Sequence, residues 1–158
     1  MNSILLRVVA VVLSGVSPEP LEEKVVPFDK MPAECAAVYD ADIRKLRQTT
    51  ETEVISVDLD GDNIPELLIF NGESGSGGAG WTVMQKVGEK YRCTGAVFGI
   101  LHKSGNGLLV ESPCGWSYAD WSYYELCNGK LIQKITIGVE YRRPVRKHPV
   151  NINIKVKQ

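Results

Sequence analysis

Residues 54–70 read Val54-Ile55-Ser56-Val57-Asp58-Leu59-Asp60-Gly61-Asp62-Asn63-Ile64-Pro65-Glu66-Leu67-Leu68-Ile69-Phe70. From Glu53 to Asp60 the chain alternates. Ile55, Val57 and Leu59 fall on one face of an extended segment, and Ser56, Asp58 and Asp60 on the other. Leu67 to Phe70 is a short unbroken apolar run, the mark of a second strand. Between the two lie Asp, Gly, Asn and Pro, which favour tight turns. The stretch is therefore strand, acidic turn, strand.

The same pattern continues outward. Trp81 to Lys86 and Tyr91 to Phe98 flank Val87-Gly88-Glu89-Lys90, which predicts a hairpin turn. Gly107 to Ser112 and Ala119 to Cys127 form a further expected pair. Asn128-Gly129 is a strong two-residue hairpin signal before Leu131 to Val139. This predicts a mainly β fold, an antiparallel meander of six to eight short strands. One N-terminal α-helix is expected over Ala33 to Arg47, where Cys35, Val38, Tyr39, Ile43 and Leu46 recur at steps of three and four. Pro32 suits its first turn and Asp29 is available as a cap. With that helix, an α+β arrangement stays open. No internal repeat is visible.

At 158 residues, 44% apolar and 23% charged, the chain is long enough for one ordinary core. The net charge of −1 hides an asymmetry. Residues 141–158 carry six Lys/Arg and no Asp/Glu, so residues 1–140 hold twelve basic against nineteen acidic side chains. We read 1–17 as a signal peptide, 18–30 as a Pro- and Glu-containing linker, 31–140 as the domain and 141–158 as a basic tail. Arg7, the apolar run Val8 to Leu13 and the small residues Ser14, Gly15 and Ser17 carry the leader reading. It places the protein in the periplasm or outside the cell. The alternative for the same residues is an N-terminal strand of the domain. No stretch approaches the ~20 apolar residues of a membrane span. Cys35, Cys93, Cys114 and Cys127 would suit an exported protein as one or two disulfides, with no Cys-x-x-Cys pair to suggest zinc. Three pairings exist. A weak preference falls on Cys93 with Cys114, on strands expected to be neighbours, leaving Cys35 for Cys127.

The acidic turn carries the chemistry. Asp58, Asp60 and Asp62 are spaced by two, and Glu66 is ninth from Asp58. Calcium takes six to eight hard oxygen ligands at about 2.3–2.6 Å. A loop curled around the ion can present Asp58, Asp60 and Asp62 through their side chains, Ile64 through its carbonyl and Glu66 from the far side. Gly61 permits the bend. Carboxylates about 5 Å apart repel by roughly 0.8 kcal/mol per pair even in water, which favours a neutralising cation. A solvated acidic turn is the competing reading. An EF-hand fails on detail: it needs glycine at position six and glutamate at position twelve between helices, whereas Asn63 and Ile69 stand there between strands.

Asp58-Leu59-Asp60-Gly61-Asp62-Asn63-Ile64-Pro65-Glu66-Leu67-Leu68-Ile69 resembles the Asp-x-Asp-Gly-Asp-Gly-x-x-Asp/Glu-Leu core of FG-GAP/VCBS repeats. The resemblance implies Ca2+ held in a β-hairpin loop by Asp58, Asp60, Asp62, the Ile64 carbonyl and Glu66. It covers about a dozen residues, with a looser similarity to small exported bacterial β-proteins running through Gly72 to Trp81. There is a single repeat and no Phe-Gly…Gly-Ala-Pro segment before it. That excludes a full propeller, and the family's adhesive role does not transfer.

Other features weigh less. Gly72 to Gly80 lacks the Lys-Ser/Thr ending of a phosphate-binding loop and reads as a flexible connection, or a binding lip anchored by Trp81. Trp116, Tyr118, Trp121, Tyr123 and Tyr124 crowd one hairpin, with Trp121 and Tyr123 on one face and Tyr124 on the other. Core packing is the plainer role, and a recognition patch for a protein or glycan the sharper one. The two histidines, His102 in an expected turn and His148 in the tail, belong to no catalytic motif. No nucleic-acid signature accompanies Arg142, Arg143, Arg146 and Lys147. Two functions remain. One is an exported module whose structural calcium supports a binding surface. The other is a periplasmic inhibitor or immunity protein that blocks a partner enzyme with the glycine loop or the Trp116–Tyr124 hairpin.

Overall fold

The computed structural model describes residues 21–39, 49–73, 78–114, 118–140 and 155–157. These form two five-stranded sheets. The first holds β1 (Lys24–Pro27), β2 (Glu51–Val57), β3 (Glu66–Glu73), β4 (Ala79–Val87) and β5 (Lys90–Phe98), each beside its neighbour in sequence. The second is built the same way from β6 (Ile100–Lys103), β7 (Gly107–Pro113), β8 (Tyr118–Cys127), β9 (Lys130–Glu140) and β10 (Lys155–Lys157). Every pairing is antiparallel. The fold is thus the mainly β antiparallel meander the sequence predicts, with ten strands among the described residues.

Turn chemistry sets the register. Val87 pairs with Lys90 and Cys127 with Lys130, so Gly88-Glu89 and Asn128-Gly129 are two-residue loops. Asn128 and Gly129 take φ of 51° and 70°, the left-handed pair that matches strand twist. Gly99 alone joins the sheets. Its φ is 141°, its N–H donates to the Ala79 carbonyl at 2.9 Å, and a Cβ there would strike the Glu111 carbonyl.

Alternation then builds the cores. Ile55, Val57, Leu59, Leu68, Trp81, Val83 and Val97 of the first half meet Leu101, Leu108 and Val110 of the second sheet. On the other face of the first sheet, Ile69 and Met84 pack with Cys35. A third cluster, centred on Trp121, occupies the other face of the second sheet.

Several sequence readings change. Helix α1 spans only Ala33–Ala36, with Ala37 as its C-cap, and residues 40–47 of the expected helix lie outside the described residues. Pro32 is the N-cap. Asp29 does not cap, because it sits in a separate 3-10 turn, Phe28–Lys30. Residues 24–27, read as linker, form edge strand β1, where Pro27 costs no interior ladder bond. His102 is in β6 and not in a turn. Residues 155–157 of the tail are β10. Cys93 lies on β5 and Cys114 just beyond β7, in different sheets, and all four cysteines are free thiols. Trp121 and Tyr123 are buried core residues and Trp116 lies outside the described residues, as do the leader 1–17 and residues 141–154. No described helix is long and apolar enough to cross a membrane.

Candidate metal centre

The acidic loop, residues 58–65, joins β2 to β3 at one end of the first sheet, where Val57 pairs with Glu66. The loop is folded by its own carboxylates. Asp58 Oδ1 accepts the Gly61 N–H at 2.7 Å and its Oδ2 accepts the Asn63 N–H at 3.1 Å. Asp60 Oδ1 accepts the Asp62 N–H at 3.2 Å, and Asp62 Oδ1 accepts the Ile64 N–H at 2.7 Å. These are the local side-chain to backbone bonds that short acidic residues make in turns. Gly61 (φ 82°) and Asn63 (φ 66°) supply the two left-handed steps that curl the chain. Asn tolerates that region better than other residues with a Cβ.

Leu59 ties this loop to the interior. Its side chain is buried in the inter-sheet core, and its N–H donates to Glu66 Oε2 at 2.8 Å. Glu66 is 1% exposed. Burial pushes its carboxyl above the usual range, against the pull of the Leu59 N–H, and the charges of Asp60 and Asp62 push the same way. Asp58 moves in the opposite direction. The Gly61 N–H, helped by the N–H groups of Asn63 and Asp60 and by Lys103, holds it below the usual range.

Three carboxylates converge. One oxygen from each of Asp58, Asp60 and Glu66 lies within 4.8 Å of the others. Oxygens bound to one ion at 2.3–2.6 Å can stand no further apart than about 5 Å, so the spacing fits a single hard cation. The cluster contains only carboxylate oxygens, a donor set suited to calcium or magnesium rather than zinc. Asp62 stays outside it. That side chain is exposed, and one oxygen is held by Ile64 N–H. The Ile64 side chain is likewise exposed.

Two neighbours escaped the sequence reading. Gln85 of β4 donates its side-chain N–H to Asp60 Oδ2 at 3.0 Å, holding that carboxylate from outside the loop. Asn106, in the β6–β7 turn of the other sheet, packs against Gly61 so closely that a Cβ would come within 2.6 Å of its amide nitrogen. The loop therefore touches both sheets. Neither neighbour lies in a motif; strand pairing brings Gln85 there, and packing between the sheets brings Asn106. Of the glycine-rich segment, residues 74–77 lie outside the described residues. No family model, curated protein or solved structure matches this chain.

Proposed function

We propose that this chain is a small calcium-stabilised β-module whose single ion clamps the β2–β3 loop across the seam between its sheets. Asp58, Asp60 and Glu66 are the preformed ligands. Asp62 and the Ile64 carbonyl complete the shell when the ion draws the loop inward. The observation that carries this reading is the convergence of Asp58 and Asp60 on Glu66, a carboxylate almost sealed from solvent. Such a group among like charges destabilises the fold unless it is protonated or neutralised. Leu59 and Asn106 give the ion a structural consequence, because they couple the loop to the core and to the second sheet. The single FG-GAP/VCBS-type hairpin remains the best description of the loop, supported by its strand flanks and the left-handed turn at Asn63.

Melting curves in millimolar calcium and in a strong chelator test the proposal. Calcium should raise the melting temperature of the natural chain and leave Asp60→Ala almost unchanged. Superimposed curves for the natural chain would reduce the cluster to a solvated acidic turn.

A further inference from the structure

Where edge strand β5 of the first sheet passes the β8–β9 turn of the second, the sheets leave a cleft of about 400 Å³. Arg92 to Thr94 form one wall and Asn128 to Leu131 the other. Two glycines let the walls approach. A Cβ on Gly95 would stand 3.0 Å from that of Leu131, and one on Gly129 would overlap Nη2 of Arg92. The guanidinium of Arg92 therefore reaches from the first sheet onto the turn of the second, into space that only glycine leaves empty. Gly129 is also one of the two left-handed residues of the hairpin, so the chemistry that closes β8 on β9 makes the notch as well.

The cleft is basic in an otherwise acidic body. Arg92 and Lys130 line it, and no lining residue is acidic. Among the described residues neither cation forms a salt bridge, whereas Lys134, further along the Lys130 strand, pairs with Glu125 at 3.5 Å. The Thr94 hydroxyl is already committed, donating to the Val83 carbonyl at 3.1 Å. A guanidinium seated on a turn with no carboxylate partner keeps its fork of N–H donors open. That fork matches a carboxylate or a phosphate in two parallel bonds. Being seated beforehand, it gives up less side-chain freedom on binding than a mobile arginine would. We propose that the cleft binds a small organic anion. Arg92 takes the carboxylate or phosphate group in its fork, Lys130 supplies the second charge, and Leu131 offers apolar contact. The volume suits this class, because small-molecule sites occupy about 300–1,000 Å³. The proposal uses none of the acidic-loop carboxylates and stands independently of the calcium reading.

Amide chemical shifts of the isotope-labelled full chain, titrated without calcium and at constant ionic strength, test it. Succinate and inorganic phosphate are the two probes, added separately. Saturable shifts at the Arg92 side-chain Nε–H and the amides of Asn128 to Leu131 are the expected result with at least one of them. The tighter of the two identifies the recognised group as carboxylate or phosphate. Arg92 is exposed, so Arg92→Gln removes no core contact, and it should weaken binding at least about tenfold. Lys86→Gln, at an exposed lysine of β4 outside the cleft, should leave binding unchanged. Shifts that fail to saturate with both probes, that spread evenly over exposed lysines, or that persist undiminished in Arg92→Gln would overturn it.

Discussion

Replacing Glu66 by Gln should stabilise the protein without calcium and weaken it with calcium. The substitution keeps an oxygen for the Leu59 N–H, which now rests on Glu66 Oε2 at 2.8 Å, and removes only the charge. Without the ion, oxygens of Glu66, Asp58 and Asp60 stand within 4.8 Å of one another. Each pair at that distance repels by about 0.9 kcal/mol in water and by more at a half-buried site, so relieving two pairs is worth ~2 kcal/mol. For a chain of this size that raises the melting temperature by roughly 4–8 °C in chelator. With calcium the balance reverses. A divalent ion ~2.4 Å from one carboxylate oxygen gains about 3.5 kcal/mol even at the dielectric of water. A neutral amide recovers part of this, so affinity should fall roughly 100-fold. Paired melting curves and calcium titrations of both proteins measure the two effects. A Glu66→Gln variant destabilised to the same extent in both conditions would instead make Glu66 a packing residue with no part in ion binding.

Three more outcomes follow from the structure. Gln85→Leu removes the N–H held by Asp60 Oδ2 and should weaken calcium binding about tenfold by titration calorimetry, with little change in the melting curve in chelator. Gly99→Ala places a Cβ against the Glu111 carbonyl at a left-handed φ, and denaturant unfolding should show a loss of about 2–4 kcal/mol. Cys35 is sealed beneath the first sheet, and burial, with Glu34 adding, pushes its thiol up to about 11 from an ordinary 9.0. A maleimide at pH 8 should therefore label Cys93, Cys114 and Cys127 while sparing Cys35. The unfolded chain loses this proton first, so the stability present below pH 9 should decline by at most ~2.7 kcal/mol as pH rises to 11.

The sequence carried the parts of this fold that local chemistry dictates. Alternation in Glu53 to Asp60 located β2 and its buried face, and Asn128-Gly129 and Gly88-Glu89 located two hairpins to the residue. What escaped was set by tertiary contact. β1 is four residues of linker-like composition, and it is a strand because β2 offers it a free edge. β6 is as short, and its extended form depends on pairing with β7. Helix α1 ends at Ala36, a stop that the local chemistry of Ala37 does not explain, and residues 40–47 of the expected helix lie outside the described residues. At the metal centre the spacing of Asp58, Asp60 and Glu66 gave the convergent trio. The same spacing could not distinguish Asp62, whose carboxylate is turned onto the Ile64 N–H. Gln85 and Asn106 were invisible because strand pairing and sheet stacking, rather than any motif, carry them to the loop.

If Asp58, Asp60 and Glu66 hold one ion, a calorimetric calcium titration of the natural chain, stripped with chelator beforehand, will register it. The expected result is one saturable site per chain that Asp60→Ala abolishes. The absence of saturable heat, with melting curves that ignore calcium, would contradict it.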